Sequence, residues 1–172
     1  VAHKKEKQNK KKTKGRFPRK GELENLRSEL KTLSKKLVDE VRTEHSPRLK
    51  SLQKHFNAIC ELHKDFESET AHSEIRTARE NIKKELRKKL KSNQMDDLES
   101  EIAINELQAE AVAFVKTAND FLSEDPDNLE IQNRIGVGIE LDDAFDRLGI
   151  QVPQLREKIH TTNSKFLAKK VR

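Results

Sequence analysis

RLKSLQKHFNAICELHKDFESETAHSEIRTARENIKKELRKKLKSNQMDDLESEIAINELQAEAVAFVKTANDFLSED, residues 48–125, is a run of 78 residues without a glycine or a proline. Hairpin turns lean on Gly, Pro and Asn-Gly pairs. A run of this length therefore argues for helices. The apolar spacing agrees. Leu49, Leu52, Phe56, Ile59, His63 and Phe66 step by 3, 4, 3, 4, 3, a helical seam with one polar member, His63. Ile75, Ala78, Ile82, Leu86 and Leu90 form a second stripe, on a helix from about Ser73 to Lys91 that either continues the previous one or restarts. Arg76, Arg79, Lys83, Arg87 and Lys91 lie about a quarter-turn away. A solvated face, or a partner for an acidic helix, explains this basic stripe more simply than a nucleic-acid groove.

The end of the run, from about Met95 to Leu122, is apolar on two sides. Leu98, Ile102, Ala109 and Val112 occupy one face, and Leu107, Ala111, Phe114, Ala118 and Phe121 the other. A helix of this kind is buried between neighbours, so this one is expected at the centre of the fold.

Upstream, Leu23, Leu26, Leu30, Leu33 and Leu37 step by 3, 4, 3, 4, a heptad seam in a helix from about Gly21 to His45. The seam must meet another helix, either residues 49–66 of the same chain or a second copy, and self-association is the favoured expectation. Ser46-Pro47 then restarts the pattern as an N-cap followed by a first-turn proline. Downstream, Asp125-Pro126 is expected to cap a short helix carrying Leu129, Ile131 and Ile135. Gly136-Val137-Gly138 is expected to interrupt it. Helix resumes through Leu141, Phe145 and Leu148 and stops at Gly149. A last helix from Gln154 toward Lys170 carries Leu155, Ile159, Phe166 and Leu167.

Charge is partitioned. Residues 1–20 hold ten Lys or Arg against Glu6, a net of +9. The whole chain carries +6, so residues 21–172 carry −3. Residues 95–150 hold 15 acidic and 3 basic side chains, a net of −12, between basic segments on either side. With 33% hydrophobic residues and no Trp or Tyr, the apolar supply is thin for a globular core but sufficient for seams between helices. The fold expected is all-α: an elongated antiparallel bundle or partial coiled coil over 22–172, preceded by a disordered basic arm over 1–21.

Little in the chain resembles catalytic machinery. Cys60 is the only cysteine, which rules out an intrachain disulfide and a Cys-based zinc site and favours an intracellular, reducing setting, nucleus or cytoplasm. It lies near an apolar face without a base and orienting partner at helical spacing, and reads as an inert thiol. His55, Cys60, His63 and His72 cluster in sequence, and Glu69-Thr70-Ala71-His72 matches one Glu-x-x-His step of a di-iron bundle. Such a site needs two steps and further glutamates, so no metal is expected. Gly136-Val137-Gly138 lacks the Gly-Lys-Ser/Thr ending and preceding strand of a phosphate loop. In the Asp125, Asp127, Asn128 stretch the twelfth position of a calcium loop falls on Gly136, where a glutamate is required. Asp142 and Asp143 are adjacent and point to different helix faces. The expectation is a protein that is not an enzyme and holds no cofactor.

The arm carries the functional reading. Lys4, Lys5, Lys7, Lys10, Lys11, Lys12, Lys14, Arg16, Arg19 and Lys20 supply charge density for phosphate neutralisation. Lysine outnumbers arginine eight to two. Arginine is the better reader of base edges, so the contact expected is with DNA or RNA irrespective of sequence. Such a protein is a helical assembly and binding module, with Leu23, Leu26, Leu30, Leu33 and Leu37 joining it to itself or to a protein partner. The alternative is a helical adaptor or co-chaperone-like module that binds a protein through its acidic 95–150 face, its arm a localisation signal. No apolar run or amphipathic anchor points to a membrane.

Overall fold

The long run without glycine or proline folds as several helices, and polar side chains make the breaks. A computed structural model describes residues 20–43 and 48–170. The described residues form helices α1 (Lys20–Thr43), α2 (Leu49–Glu61), a 3₁₀ turn (Leu62–Asp65), α3 (Glu69–Lys89), α4 (Ser92–Lys116), α5 (Ala118–Ser123), α6 (Asn128–Leu148) and α7 (Pro153–Lys169), with no strand. The all-α class read from the sequence is the class observed. No helix among the described residues is long and apolar enough to cross a membrane. The Ser46-Pro47 restart and arm residues 1–19 lie outside the described residues; Lys20 and Gly21, expected in the disordered arm, are instead the first two residues of α1.

Each break has a local cause. Between α2 and α3 the chain tightens to 3₁₀ and turns extended at Phe66. Ser68 then caps α3, its Oγ accepting from the N–H of Thr70 at 3.1 Å and of Ala71 at 3.4 Å. Leu90 is extended, and Gln94 Oε1 accepts the Lys91 N–H at 3.1 Å to open α4. At Thr117 the hydroxyl donates to the Ala113 carbonyl at 2.7 Å, where α4 gives way to α5. The helix expected over 95–122 is thus two helices.

The capping of α6 also differs from expectation. Asp125 is not the cap; it takes a left-handed φ of 53° ahead of Pro126. Asp127 is the N-cap, accepting from the Glu130 N–H at 2.8 Å, while Glu130 reaches back to the Asp127 N–H. Gly136-Val137-Gly138 does not interrupt α6, which runs unbroken to Leu148. Its ends are anchored by Ile131 and Phe145, 2% and 0% exposed, and tertiary packing overrides the roughly 1 kcal/mol helix penalty of each glycine. Gly138 is where α7 and α4 close in: a Cβ there would lie 2.6 Å from the Asn163 amide and 2.8 Å from Phe114 Cζ. Gly149 ends α6 as expected, at φ 66°, with Ile150 N–H bonded to Phe145 O and Gly149 N–H to Asp146 O.

Two apolar cores result, and α4 belongs to both. The first joins α1, α2, the 3₁₀ turn and α3 to Met95, Leu98, Ile102 and Ala109 of α4. The second joins Ala111 and Phe114 of α4 to Ala118, Ile131, Phe145, Ile159 and Phe166. Phe166 meets Phe114 edge-on at 5.6 Å and Phe121 at 5.3 Å. The two apolar faces of α4 therefore serve different cores in succession along the helix. Leu129 and Leu167, expected inward, are exposed.

The leucine seam of α1 is closed within the chain. Leu26, Leu30 and Leu37 are buried, and Leu23 and Leu33 pack partly buried on the same first core, against α2 and α3. Of the two expectations for the seam, a helix of the same chain is the one observed, and α3 joins α2 in meeting it.

Candidate functional site

The densest buried chemistry lies where the 3₁₀ turn, α3 and α4 meet. The turn places His63 at 0% exposure, and the Ser68 cap places His72, one turn into α3, at 1%. Their rings stack at 5.0 Å, with Nδ1 facing Nδ1 at 2.7 Å. His72 Nε2 lies 2.7 Å from the Phe66 carbonyl. A carbonyl only accepts, so His72 carries its proton on Nε2 and accepts at Nδ1. His63 must then donate from Nδ1, which leaves its Nε2 as a buried acceptor without a protein partner. Burial, with His72 and Arg79 nearby, pushes the His63 pKa down to about 3. Burial, with Arg76 opposing the charged form, holds His72 at about 4 although the bond to Phe66 works the other way. The pair is neutral at neutral pH.

Beside it runs an ion-pair ladder between α3 and α4. Arg79 is 2% exposed and pairs with Glu106 at 2.9 Å and with Glu110. Arg76 joins Glu110 at 3.0 Å, Lys83 joins Glu106 at 3.1 Å, and Arg87 joins Glu99 at 2.8 Å. Burial alone would raise the Glu110 pKa, but hydrogen bonds and charge from Arg76 and Arg79 outweigh it and hold the carboxyl below its usual range. The basic stripe of residues 76–87 is thus the partner of the acidic helix. A small cavity of about 200 Å³ opens next to the ladder, with Arg76, Glu110, Glu69 and Arg134 on its walls. Its charges are matched: Arg134 pairs with Glu69 at 2.5 Å and stacks 4.3 Å over Phe121.

The sequence cluster of metal-ligand types is dispersed. His55 faces Glu40 at 3.3 Å, His63 and His72 face each other, and Glu69 holds Arg134. Among the described residues no three His, Cys, Asp or Glu converge as a metal site. Cys60 is buried with its thiol pushed up to about 12 by desolvation, far from a reactive thiolate. Between α6 and α7 Asp142 binds Arg156 at 2.6 Å and His160 at 3.1 Å, while Asp143 is exposed, so the two aspartates do not converge.

Of the arm residues proposed to bind phosphates, Lys4, Lys5, Lys7, Lys10, Lys11, Lys12, Lys14, Arg16 and Arg19 lie outside the described residues. The backbone of Lys20 opens α1. Sequence reading missed the His63–His72 contact. The only signal for it was a histidine on the α2 seam and another nine residues on, across a turn whose geometry the sequence does not announce.

The chain matches no protein-family model, no curated protein and no solved structure.

Proposed function

We propose that this chain is a non-enzymatic helical binding protein whose Lys-rich N-terminal arm contacts the phosphates of DNA or RNA without reading their sequence. The separation of charge supports this reading. The cationic stripe of α3 is committed to carboxylates of α4 through Arg76, Arg79, Lys83 and Arg87. The body, residues 21–172, carries −3, whereas residues 1–20 carry +9. Phosphate neutralisation needs density of charge more than structure. The test is a fluorescence-anisotropy titration of the full-length protein with unrelated DNA and RNA oligonucleotides. If about six to ten cations engage, affinity falls by about 10³–10⁵ between 50 and 200 mM salt. Competing sequences compete equally, because lysine, a point charge without arginine's planar fork, makes no bidentate contact with base edges. Strong preference among sequences, or affinity indifferent to salt, contradicts the proposal.

A second reading, the helical adaptor with the arm as a localisation signal, has one observation in its favour. On α6, Leu129, Val137 and Leu148 are exposed beside Glu140 and Asp143, a surface that suits a basic amphipathic helix. A partner of that kind stays bound after nuclease treatment and is lost on Leu129→Ser with Leu148→Ser. Partners released entirely by nuclease argue against it.

A further inference from the structure

The N-terminal ends of α1 and α3 lie together. Arg27 of α1 holds Glu74 of α3 at 2.8 Å, and Leu30, Ser34 and Val38 then share a groove with Ala78 and Ile82, so the two helices run parallel. Lys20 precedes Arg27 by about 10 Å along its helix, and Glu69 precedes Glu74 by about 8 Å, so the helices start within about a turn of each other. The same end carries the turn between α5 and α6. Asp120 of α5 accepts from the Glu69 N–H at 2.8 Å, and Arg134 of α6 binds the Glu69 carboxylate. The turn is therefore pinned on both sides to the start of α3. Residues 117–133 hold five acidic side chains and no basic one. Asp125, Asp127 and Glu130 are exposed; the last two bond to backbone N–H groups, and none of the three pairs with a cation among the described residues. Leu129, between them, is 70% exposed. A second exposed acidic group, Asp96, Asp97 and Glu101, lies at the opposite end of α3, a helix about 30 Å long, and follows directly on the exposed Lys88, Lys89 and Lys91.

We propose that the chain's own basic arm docks on this acidic turn, with Lys10, Lys11, Lys12, Lys14 and Arg16 meeting Asp125, Asp127 and Glu130. The arm joins α1 at Lys20, at the end of the molecule where the turn is held. Ten extended residues span about 33 Å, the width of about three helices, so residues 10–19 have the reach. Lysine stems cover apolar surface such as Leu129 while their ammonium groups meet the carboxylates. Exposed ion pairs are individually weak. The tether compensates, holding the arm near the turn at an effective concentration in the mM range. Such a contact is displaceable and is screened by salt. Its consequence, which rests on the nucleic-acid reading above, is regulatory: DNA or RNA gains the lysines only by displacing the turn, whose carboxylates stand in for phosphates.

The experiment places a nitroxide on the full-length protein at Thr13→Cys; Cys60 is buried and stays unlabelled. Without nucleic acid, at about 50 mM salt, the backbone amide resonances of Asp125, Asp127 and Glu130 are expected to broaden more than those of Asp96, Asp97 and Glu101, and about 500 mM salt removes the difference. Asp125→Asn, Asp127→Asn and Glu130→Gln together remove it as well. These changes keep the fold: Asn tolerates the left-handed φ at 125 and caps a helix as Asp does, and Gln serves in a capping box. Unlabelled, the same triple variant binds a DNA oligonucleotide about three- to tenfold tighter, the gain when a free arm populated at roughly 10–30% is released. The matched control, Asp96→Asn, Asp97→Asn and Glu101→Gln, removes the same charge at the far end and changes affinity less than about twofold. The proposal is overturned if the turn broadens no more than the start of α4, or if both triple variants tighten binding alike. Broadening at the turn in a protein that binds no oligonucleotide upholds the docking and defeats the nucleic-acid reading alone.

Discussion

At Gly138 one missing methyl group decides how closely three helices meet. Adding it at 2.6 Å from the Asn163 amide displaces a group that donates to the Ile135 carbonyl at 3.3 Å, and it presses on Phe114. Gly136, two residues earlier, has nothing within 4 Å of the same added atom. Gly138→Ala is therefore expected to destabilise by about 1–3 kcal/mol through overpacking. Gly136→Ala is expected to stabilise by about 0.5–1 kcal/mol through helix propensity. Paired urea melts check both signs. The sequence displays two glycines alike in an apolar segment. Only the packing of α7 and α4 on α6 distinguishes them, which is why an interruption is the natural expectation and a continuous helix the outcome.

The histidine pair belongs to the same scale and fixes a pH dependence. Both folded pKa values, about 3 and about 4, lie below the ordinary 6.5. The unfolded chain therefore binds more protons than the folded one as pH falls below about 6.5. The stabilisation is complete above that value and is lost on acidification toward 4 and then 3. Between pH 7.5 and pH 5 the loss is on the order of 2 kcal/mol per histidine. The carboxylate Glu110, with its pKa below 4.5, contributes to this window only at lower pH. Urea midpoints at the two pH values measure the loss, and a His63→Leu, His72→Met double variant removes most of it. Equal midpoints for the wild-type protein count against the buried neutral pair.

At the scale of elements, α4 connects the fold. Its acidic side takes the ladder from α3, and its apolar residues are divided between two cores. Phe114, 4% exposed and edge-on to Phe166, anchors the second. Phe114→Ala should cost about 3–5 kcal/mol. Within the ladder, burial sorts the ion pairs. Arg79→Ala leaves two carboxylates without their buried partner and should cost about 3–5 kcal/mol. Arg87→Ala, in a pair about half exposed on the arginine side, should cost less than about 1 kcal/mol. Chemical denaturation of the two variants separates these cases. Much of this level is legible in the chain: the stripes of α1, α2 and α3 point inward as their spacing requires, and Gly149 ends α6 where a left-handed residue is needed. The breaks at Ser68, Leu90 and Thr117 are not legible, because one or two side-chain hydrogen bonds of Ser68, Gln94 and Thr117 mark them, and such residues are equally at home on a helix surface. The closure of the leucine seam inside one chain is likewise a matter of where α2 and α3 return, which periodicity alone leaves open.

At the scale of the molecule, charge is unevenly divided, −3 over residues 21–172 against +9 over residues 1–20. At least six of the 15 acidic residues in the stretch 95–150, which has a net charge of −12, have tasks within the fold. Glu99, Glu106 and Glu110 hold α3, Asp142 and Asp146 hold Arg156, and Asp127 caps α6.

The most direct test of the account is to neutralise the arm in an otherwise unaltered chain. Changing Lys4, Lys5, Lys7, Lys10, Lys11, Lys12, Lys14, Arg16, Arg19 and Lys20 to Gln leaves length and body intact, and anisotropy titration at 50 mM salt compares it with wild type. The account predicts that nucleic-acid binding disappears while the helical circular-dichroism signal and melting temperature stay nearly the same. Undiminished binding by the neutralised protein would place recognition on the folded body and contradict it.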